Sequence, residues 1–568
     1  MITCRQCQSQ FFITDTDRAF YSRFDVPLPA LCPDCRQQRR LLWRNERKMY
    51  QRKCDMCKKD MIALYSADKP YVVYCSDCWW SDRWDPLSYG MAPDYSRSFF
   101  DQFQELQLQV PRLAMHGLNN TNSDYCPQST QNKNCYLMSG SDYNEDCFYA
   151  TNIQRNKNCF DAMFIFDCEL CYECIDVNKS YGCSYMQNCE GCTDSLFLFD
   201  CKSSTNCALS VNLRGGSYVY KNKQETKESY EKKLNELRDR LRADPDAVRR
   251  EFETLKAQNP ARFAFVVGCE QSTGEYLNHC RQASHCFDGE QLDSCAHMYC
   301  AMDVKDSYDV TCIGFRSELL YEGMAGVELN TVAFFNMMGY SSWCDYCALV
   351  FNSTHCFGCV GMKKNKQCIL NKQYSAEEYD HERKKIIAHM KSTGEWGEFF
   401  PMRLSPFAYN ETPAQEYFPI TKEQAELLGA RWQETSAGVF GKETLSWENV
   451  SSDPGQAPDT LSNEIVACIS CGKNYKIIKQ ALKFYKKQGL SIPRKCPDCR
   501  HLERLILRNP RKLWTRQCMC EGVRVNEYIH AVPHAHGETP CTNHFATAYA
   551  PDRNVIMYCQ ECYTKEVI

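Results

Sequence analysis

Cysteines occupy a fixed frame in the central part of the chain. The segment from Cys126 to Cys207 contains twelve cysteines, and each lies at a position divisible by three. Written in rows of twelve residues, the segment 134–217 is an internal repeat. Its second column holds Cys135, Cys147, Cys159, Cys171, Cys183, Ser195 and Cys207. This period predicts the coils of a β-solenoid, because helical hairpins and propeller blades need longer repeats.

The other columns fit the narrow interior of such a coil. At roughly 3.3 Å per residue the perimeter is about 40 Å, which leaves an interior one side chain thick. Two columns of small or slim residues are therefore predicted to point inward: Met138, Ala150, Ala162, Cys174, Met186, Leu198 and Ser210, and Ser141, Ile153, Ile165, Val177, Cys189, Cys201 and Leu213. The first column (Asn134, Asp146, Asn158, Gly182, Asp194, Asn206) suits corners. The third (Tyr136, Phe148, Phe160, Tyr172) predicts an aromatic ladder with a spacing of about 4.8 Å.

A second, less regular array follows the first. Its cysteines repeat with the same step of twelve at Cys344, Cys347, Cys356, Cys359 and Cys368, whereas those between Cys269 and Cys312 shift frame. Amphipathic helices are expected after each array, the first with the stripes Tyr230, Leu234, Leu237, Leu241 and Val248, Phe252, Leu255. Such helices would cover an open solenoid end or bind a partner helix. The predicted fold is mainly β, with duplicated terminal modules flanking the arrays.

The two ends of the chain carry matching cysteine quartets. The first quartet of the N-terminal end recurs at the C-terminal end with a constant offset of 464 residues, and each is followed by a second quartet. The sixteen predicted ligands are Cys4, Cys7, Cys32, Cys35, Cys54, Cys57, Cys75, Cys78, Cys468, Cys471, Cys496, Cys499, Cys518, Cys520, Cys559 and Cys562. Paired C-x2-C motifs supply the four thiolates of a tetrahedral structural zinc site, so about four Zn²⁺ ions are expected.

The first quartet at each end resembles the probable zinc-ribbon, treble-clef-like family. The matching residues are Cys4, Cys7, Phe20-Tyr21, Pro29 and Cys32-Pro33-Asp34-Cys35-Arg36, and Cys468, Cys471, Phe484-Tyr485, Pro493 and Cys496-Pro497-Asp498-Cys499-Arg500. The resemblance covers about 40 residues at each end and implies zinc binding. The whole chain is also similar to large cysteine-rich zinc-ribbon proteins of candidate-phyla bacteria.

Disulfides are the alternative use of these cysteines. The sequence MITCRQCQSQFF shows no basic segment followed by an apolar one, so no secretory signal is visible. No run of about 18 apolar residues predicts a membrane span. We therefore expect a cytoplasmic protein, whose thiols stay reduced and available for metal.

Three further sets of thiols and imidazoles have open roles. The rear insertion carries His530, His534, His536, Cys541 and His544, and one of these is expected to replace a weak zinc ligand or to hold a catalytic metal. Cys344, Cys347, Cys356 and Cys359 place two pairs on adjacent coils and form a further candidate metal site. The other array cysteines would pack as small apolar residues, form cross-coil disulfides or bind metal.

Arginines follow each second C-x2-C motif at helical spacing. They are Arg36, Arg40, Arg44, Arg47, Arg500, Arg504, Arg508 and Arg511. Residues 1–60 contain 13 Lys+Arg against 7 Asp+Glu, and residues 461–516 contain 14 against 3, although the whole chain carries a net charge of −4. Basic zinc modules predict nucleic-acid binding. In the alternative interpretation, the arginines pair with acidic residues nearby or in the solenoid.

The sequence divides into seven segments. They are a tandem zinc-ribbon module (1–80), an aromatic cap for the first coil (81–121), the first array (122–220), a helical hairpin cap (221–260), the second array (261–374), a helix and linker with Thr421 as a helix N-cap (375–463) and the second zinc-ribbon module (464–568). An array at the centre and a metal module at each end are typical of a scaffold.

The sequence offers no catalytic motif of the P-loop, dinucleotide-binding or H-E-x-x-H type. The leading hypothesis is a non-enzymatic zinc-binding scaffold that binds RNA or a ribonucleoprotein through its arginines. The first alternative is a protein-interaction scaffold that uses the solenoid face, and the second is thiol-based metal storage or redox chemistry. No membrane or small-molecule partner is expected.

Overall fold

The computed structural model describes residues 1–434, 438–451, 453–521, 534–537 and 539–567. It confirms a mainly β chain, with parallel and mixed sheets and fewer helices. Among the helices of these ranges, none combines the length and the apolar character needed to cross a bilayer.

The elements within the described ranges are as follows. The α-helices are α1 Asp15–Arg23, α2 Pro33–Leu41, α3 Ser76–Trp79, α4 Phe99–Gln109, α5 Lys227–Ala243, α6 Pro245–Ala257, α7 Ala376–Thr393, α8 Pro413–Tyr417, α9 Lys422–Leu427, α10 Lys479–Gln488, α11 Pro497–Leu507 and α12 Gln560–Val567. Short 3-10 helices span Pro86–Tyr89, Met402–Leu404, Tyr409–Glu411, Trp447–Asn449, Pro454–Gln456 and Asp459–Asn463. The strands are β1 Ile2–Thr3, β2 Gln10–Phe11, β3 Tyr50–Lys53, β4 Asp60–Ala63, β5 Val73–Tyr74, β6 Arg112–Leu113, β7 Gly117–Leu118, β8 Ser129–Thr130, β9 Met163–Phe166, β10 Ile175–Asn178, β11 Ser184–Glu190, β12 Leu196–Phe199, β13 Thr205–Val211, β14 Ser217–Tyr220, β15 Lys223–Gln224, β16 Ala261–Arg262, β17 Val266–Val267, β18 Gly274–Asn278, β19 Cys286–Asp293, β20 Tyr299–Lys305, β21 Tyr308–Gly314, β22 Ser317–Asp345, β23 Ala348–Phe351, β24 Thr354–Phe357, β25 Lys366–Ile369, β26 Lys372–Gln373, β27 Val466–Ala467, β28 Asn474–Tyr475, β29 Trp514–Gln517, β30 His544–Thr547 and β31 Met557–Tyr558.

These elements form two compact units. Unit 1 comprises Met1–Met115, Ala264–Thr435 and Arg511–Leu513, and unit 2 comprises His116–Phe263, Ser436–Pro510 and Trp514–Ile568. The N-terminal module therefore shares a unit with the second array, and most of the C-terminal module shares a unit with the first. The linear segments predicted from the sequence did not reveal this pairing.

The first array, residues 117–224, is built from parallel strand pairs with one register. In β9, β10 and β11, Met163 pairs with Ile175, which pairs with Gln187, so each pair joins residues twelve apart. Isolated bridges extend the same register upstream, from Tyr136 to Phe148 and from Phe148 to Phe160. The antiparallel strand β15 closes the sheet against β14.

The backbone of the first array turns at every third residue. From Asn119 to Lys221, each third residue has a positive φ, including the expected corner residues Asn134, Asp146 and Asn158. Bulky residues such as Phe164 also adopt this conformation, which L-residues other than Gly, Asn and Asp rarely do. Each turn is followed by an inward-pointing residue, which explains why the cysteines keep a frame of three.

The two predicted inward columns are buried, except for Leu213, which is partly buried. Met138, Ala150, Ala162, Cys174, Met186, Leu198 and Ser210 are all at most 1% exposed. Cysteine thiols in the interior donate hydrogen bonds to the carbonyl two residues earlier, as Cys183 does to Tyr181 at 3.2 Å. Ser195, in the same column, donates to Thr193 at 2.8 Å. Cysteine and serine therefore fill equivalent positions, and all forty cysteines are free thiols.

The second array, residues 266–373, has a less uniform register. Residues eleven apart pair between β17 and β18, and residues thirteen apart pair where β22 meets β20 and β21. Residues twelve apart pair between β22 and β24, as in Cys344 with Cys356. These shifts account for the irregular cysteine frame seen in the sequence. The array is again closed by an antiparallel strand, β26.

Helices pack beside each array. Of the predicted stripes, α5 buries Tyr230, Leu237 and Leu241 but leaves Leu234 partly buried, and α6 buries Val248, Phe252 and Leu255. These residues pack with Phe197, Phe199 and Leu209 of the first array. In unit 1, α7 follows the second array, and Thr421 caps α9 as expected.

The aromatic segment differs from its prediction. We expected Trp79, Trp80, Trp84, Phe99 and Phe100 to cap the first coil of the first array. They instead pack against the second array within unit 1: the Trp79 ring lies 5.9 Å from Phe351, and the Phe99 ring lies 5.5 Å from Phe357. Position along the chain suggested the wrong neighbour, because the segment folds back with the N-terminal module.

Candidate metal centres and arginine helices

Cysteines and histidines gather into five groups whose ligand atoms lie within 4.8 Å of one another in the described ranges. The groups are Cys4, Cys7, Cys32 and Cys35; Cys54, Cys57, Cys75 and Cys78; Cys468, Cys471, Cys496 and Cys499; Cys518, Cys541, Cys559 and Cys562; and Cys520, His534, His536 and Cys562. The chain is thus equipped to bind metal at its two ends.

Three groups share one local geometry. Each begins with a tight turn in which the residue four positions after the first cysteine has positive φ, as Gln8, Lys58 and Gly472 do. The backbone N–H of the third ligand then donates to the sulfur of the first, as from Cys32 to Cys4 and from Cys496 to Cys468, both at 3.2 Å. Sequence spacing alone predicted these groups, because a C-x2-C turn fixes both thiols on one side.

Sulfur–sulfur distances in these groups match a tetrahedral site. They are 3.6 Å for Cys7–Cys32, 3.8 Å for Cys57–Cys75 and 3.8 Å for Cys468–Cys499. A metal with bonds to sulfur of about 2.3 Å in tetrahedral geometry separates its sulfurs by about 3.8 Å. The thiols are therefore spaced as ligands of a single ion.

The electrostatics of the groups favour thiolates at some positions. Hydrogen bonds from Cys35 lower the pKa of Cys32 to about 4, although burial opposes them. At Cys54, burial raises the pKa but the N–H groups of Cys57 and Cys75 outweigh it and lower the pKa to about 6. The thiolate is the form that binds metal.

The rear second quartet departs from its prediction. Cys541 takes the place of Cys520 beside Cys518, Cys559 and Cys562. The physical reason is strand pairing: β29 and β30 are antiparallel, and beyond them Cys541 N–H donates to the Cys520 carbonyl at 2.8 Å. In addition, the one-residue spacer of C-x-C cannot form the usual turn. The insertion thus supplies the replacement ligand that the sequence suggested.

Cys520 belongs instead to the group with His534, His536 and Cys562. Of the other histidines predicted as candidates, His544 lies in β30, and His530 lies outside the described residues. The two imidazoles thus lie beside the second rear quartet, and Cys562 is common to both groups.

The candidate site in the second array has a different arrangement. Within the described ranges, Cys344, Cys347, Cys356 and Cys359 are not among the five groups. Their thiols are fully buried and donate to carbonyls, from Cys344 to Ser342 at 3.2 Å and from Cys347 to Asp345 at 3.3 Å. This is the bonding of the other interior thiols.

In unit 2 the arginines of α11 contact the first array. Arg500 pairs with Asp161 at 2.9 Å, and Arg504 pairs with Asp161 at 3.1 Å and with Glu173 at 3.3 Å. Arg508, just after the helix, pairs with Asp176 at 2.8 Å and lies 3.8 Å from the centre of the Phe164 ring. The helix therefore runs across neighbouring parallel segments of the first array, with one arginine per helical turn.

Unit 1 contains the same arrangement with α2 and the second array. Arg36 pairs with Asp309 at 2.8 Å, and Arg40 pairs with Asp309 at 3.2 Å and with Glu322 at 3.6 Å. Burial raises the pKa of Asp309, but Arg36 and Arg40 outweigh it and hold that pKa below its ordinary value. We call α2 and α11 the arginine helices.

The predicted nucleic-acid-binding arginines are mostly buried. Arg36, Arg40, Arg44, Arg500, Arg504, Arg508 and Arg511 are at most 9% exposed, and Arg47 is partly buried. Arg44 pairs with Glu46, and Arg511 pairs with Asp288 at 2.9 Å. These contacts match the alternative interpretation, in which the arginines pair with acidic residues of the arrays.

The aromatic ladder is also in contact with a terminal module. The Phe148 and Phe160 rings stack at 4.6 Å, close to the expected spacing, and Phe484 stacks on Phe160 at 3.8 Å. In unit 1, Phe20 stacks on Tyr308 at 3.9 Å. In both units, an aromatic residue of a terminal module thus stacks on an aromatic residue of the array.

The acidic partners of the arginines escaped sequence analysis. Four of these partners follow an aromatic residue, in Phe160-Asp161, Tyr172-Glu173, Tyr308-Asp309 and Tyr321-Glu322. These dipeptides recur at one coil's distance within each array, which is the signal that would have revealed them.

No protein-family model matches the chain, and no curated protein matches it.

Proposed function

We propose that the chain is a non-enzymatic, zinc-dependent structural scaffold. In this proposal, zinc-ribbon or treble-clef modules hold one Zn²⁺ in each of the four all-cysteine groups, and each module fixes its arginine helix to a β-solenoid. The observation that carries the proposal is the tetrahedral spacing of the thiols, 3.6–3.8 Å between sulfurs, in three of these groups.

The ligand set favours zinc in a structural role. Four thiolates in tetrahedral geometry suit Zn²⁺, whereas Mg²⁺ and Ca²⁺ prefer oxygen ligands. A catalytic zinc ion keeps one position open for water, but four cysteines would occupy all four positions.

The strand registers support a β-solenoid in each array. Pairing of residues twelve apart, with a turn at every third residue, describes square coils that stack in parallel. Unpaired edges of such a stack promote aggregation, and the closing strands β15 and β26 cover one edge of each sheet.

The buried ion pairs weigh against RNA as a partner of the arginines. Phosphate contact by Arg504 would require α11 to leave the array and would leave Asp161 and Glu173 uncompensated. Such a step costs more than a surface phosphate contact returns. We therefore favour a scaffold whose arginines bind its own arrays, and an RNA partner stays a prediction.

Several array thiols are poorly suited to storage or redox chemistry. Burial raises the pKa of Cys207 to about 11 and that of Cys295 to about 12, so the less reactive, less metal-binding thiol form predominates there at neutral pH. Burial also raises the pKa of Cys359, but hydrogen bonds from Cys347 and Cys356 outweigh it and lower that pKa to about 5. Packing and hydrogen bonding to carbonyls are the roles that these residues support.

The test is the zinc content and stability of full-length protein purified under reducing conditions without chelator. We expect at least four tightly bound zinc ions per chain, and a large drop in the melting temperature when a chelator removes them. Protein that retains its melting temperature without zinc would contradict the structural role. RNA retention that falls steeply with salt would instead restore the RNA hypothesis.

A further inference from the structure

Cys562 lies in two groups at once, with Cys518, Cys541 and Cys559 on one side and with Cys520, His534 and His536 on the other. We propose that the C-terminal module holds a binuclear metal centre in which the Cys562 thiolate bridges two divalent ions of the zinc class. The inference depends on the proposed zinc ion in the all-cysteine group and adds a fifth ion to the chain.

The distances in the second group fit a metal with mixed ligands. The sulfur of Cys520 lies 3.6 Å from Nδ1 of His534, and the sulfur of Cys562 lies 3.4 Å from Nε2 of His536. Tetrahedral zinc with bonds of about 2.3 Å to sulfur and about 2.0–2.1 Å to nitrogen separates these atoms by about 3.6 Å. The second group thus has the dimensions of a complete site.

Hydrogen bonds orient both imidazoles toward that site. Nε2 of His534 lies 3.0 Å from the Glu566 carboxylate, which directs its Nδ1 toward Cys520. Nδ1 of His536 lies 2.6 Å from the Thr539 carbonyl, which directs its Nε2 toward Cys562. Metal-binding histidines characteristically donate their other N–H to a carboxylate or carbonyl, and this bond fixes the tautomer.

Charge balance also favours the second ion. One Zn²⁺ with four thiolates leaves two net negative charges among buried sulfurs, and a buried net charge is costly. A second Zn²⁺, with one additional thiolate from Cys520 and two neutral histidines, leaves one. All of the sulfurs involved are buried, and so is His534, whereas His536 is partly exposed.

The first experiment counts metal in the full-length protein purified under reducing conditions. We expect five zinc ions in the wild type and four in Cys520→Ser and in His536→Asn. His544→Asn is the matched control, because this neighbouring imidazole belongs to neither group, and it should retain five. Wild-type protein with four zinc ions, unchanged in Cys520→Ser, would overturn the fifth site while leaving the proposed function intact.

The second experiment tests the bridge and needs no variant. In protein loaded with ¹¹³Cd, the two ions of the centre should show scalar coupling to each other through the shared Cys562 sulfur, whereas the other three ions should show none. Five uncoupled cadmium signals would overturn the bridge. Absence of metal from all four all-cysteine groups would instead overturn the proposed function itself.

Discussion

Arg504 is a buried arginine that pairs with two carboxylates of the first array. Its side chain is 2% exposed and neutralises Asp161, which is fully buried, and Glu173. Replacing Arg504 with Met should lower the free energy of unfolding by about 3 kcal/mol, because Asp161 would keep only Arg500 and Glu173 only Arg249, at 4.0 Å, as a cationic partner. Urea unfolding at saturating zinc measures the change.

An exposed arginine in the same unit is the control for this substitution. Arg155 pairs with Asp167 at 2.7 Å, but the two side chains are 50% and 40% exposed. Arg155→Met should cost less than about 1 kcal/mol, since water screens this pair. Equal effects of the two substitutions would show that the Arg504 contacts stabilise no more than a surface ion pair does.

His297 gives unit 1 a pH dependence. Burial lowers the pKa of His297 to about 3, although Asp309 opposes the shift, and an unfolded histidine titrates near pH 6.5. Below about pH 6.5 the unfolded state therefore binds a proton that the folded state excludes. Stability should fall as the pH falls toward 3, by up to about 1.4 kcal/mol per pH unit.

The measurement compares wild type with His297→Asn between about pH 6.5 and 5, at equal zinc concentration. Asparagine tolerates the positive φ of 54° at this position and does not titrate. The free energy of unfolding of the variant should depend less steeply on pH. Parallel pH profiles would mean that His297 does not cause the loss.

Successive twelve-residue segments of the first array hold cysteine or serine at equivalent positions, as Cys183 and Ser195 show. Cys183 should therefore tolerate serine at a cost below about 1.5 kcal/mol, because Ser195 makes the equivalent hydrogen bond one coil later. Cys183→Leu should cost about 1–3 kcal/mol through overpacking of the narrow interior. Thermal unfolding measures the stability of the two variants. Equal losses of stability would show that the Cys183 thiol has a role beyond packing.

The sequence predicted the interior of the coils better than their turns. The cysteine frame and the inward columns were correct, because a buried position restricts side-chain size. Among the turns, Asn134 and Asn158 were recognisable, but Leu137 and Phe164 have the same positive φ without any local signal. Backbone hydrogen bonds between parallel segments accompany this conformation, as from Phe164 N–H to the Thr151 carbonyl at 3.1 Å, and residue propensity does not show it.

The all-cysteine metal groups also divide into those that the sequence predicted and one that it did not. Three of them follow from C-x2-C spacing, since a short turn determines where both thiols lie. The rear quartet does not follow from cysteine spacing, because Cys541 joins it through the pairing of β29 with β30 across an insertion. The spacing of cysteines does not predict contacts between segments that are distant in the chain.

In each of the two units, the array is grouped with the terminal module that lies farther from it in the sequence. Net charge predicted basic modules and acidic arrays, but not which array pairs with which module. That choice depends on single residues, Asp161 and Glu173 in unit 2 and Asp309 and Glu322 in unit 1. The internal duplication thus preserves a docking contact as well as a metal-binding pattern.

In the proposed scaffold, zinc keeps the arginine helices on their arrays. Helix α2 begins directly after Cys32 and contains Cys35, and α11 begins directly after Cys496 and contains Cys499. Helices of 9 and 11 residues are too short to persist alone in water. Loss of zinc should therefore unfold them.

Hydrogen exchange of the full-length protein, with zinc bound and after chelation under reducing conditions, tests this most directly. We expect the amides of α2 and α11 to lose protection on chelation, β10–β13 to remain protected longer, and added zinc to restore the helices. Arginine helices that keep full protection without zinc would contradict this expectation.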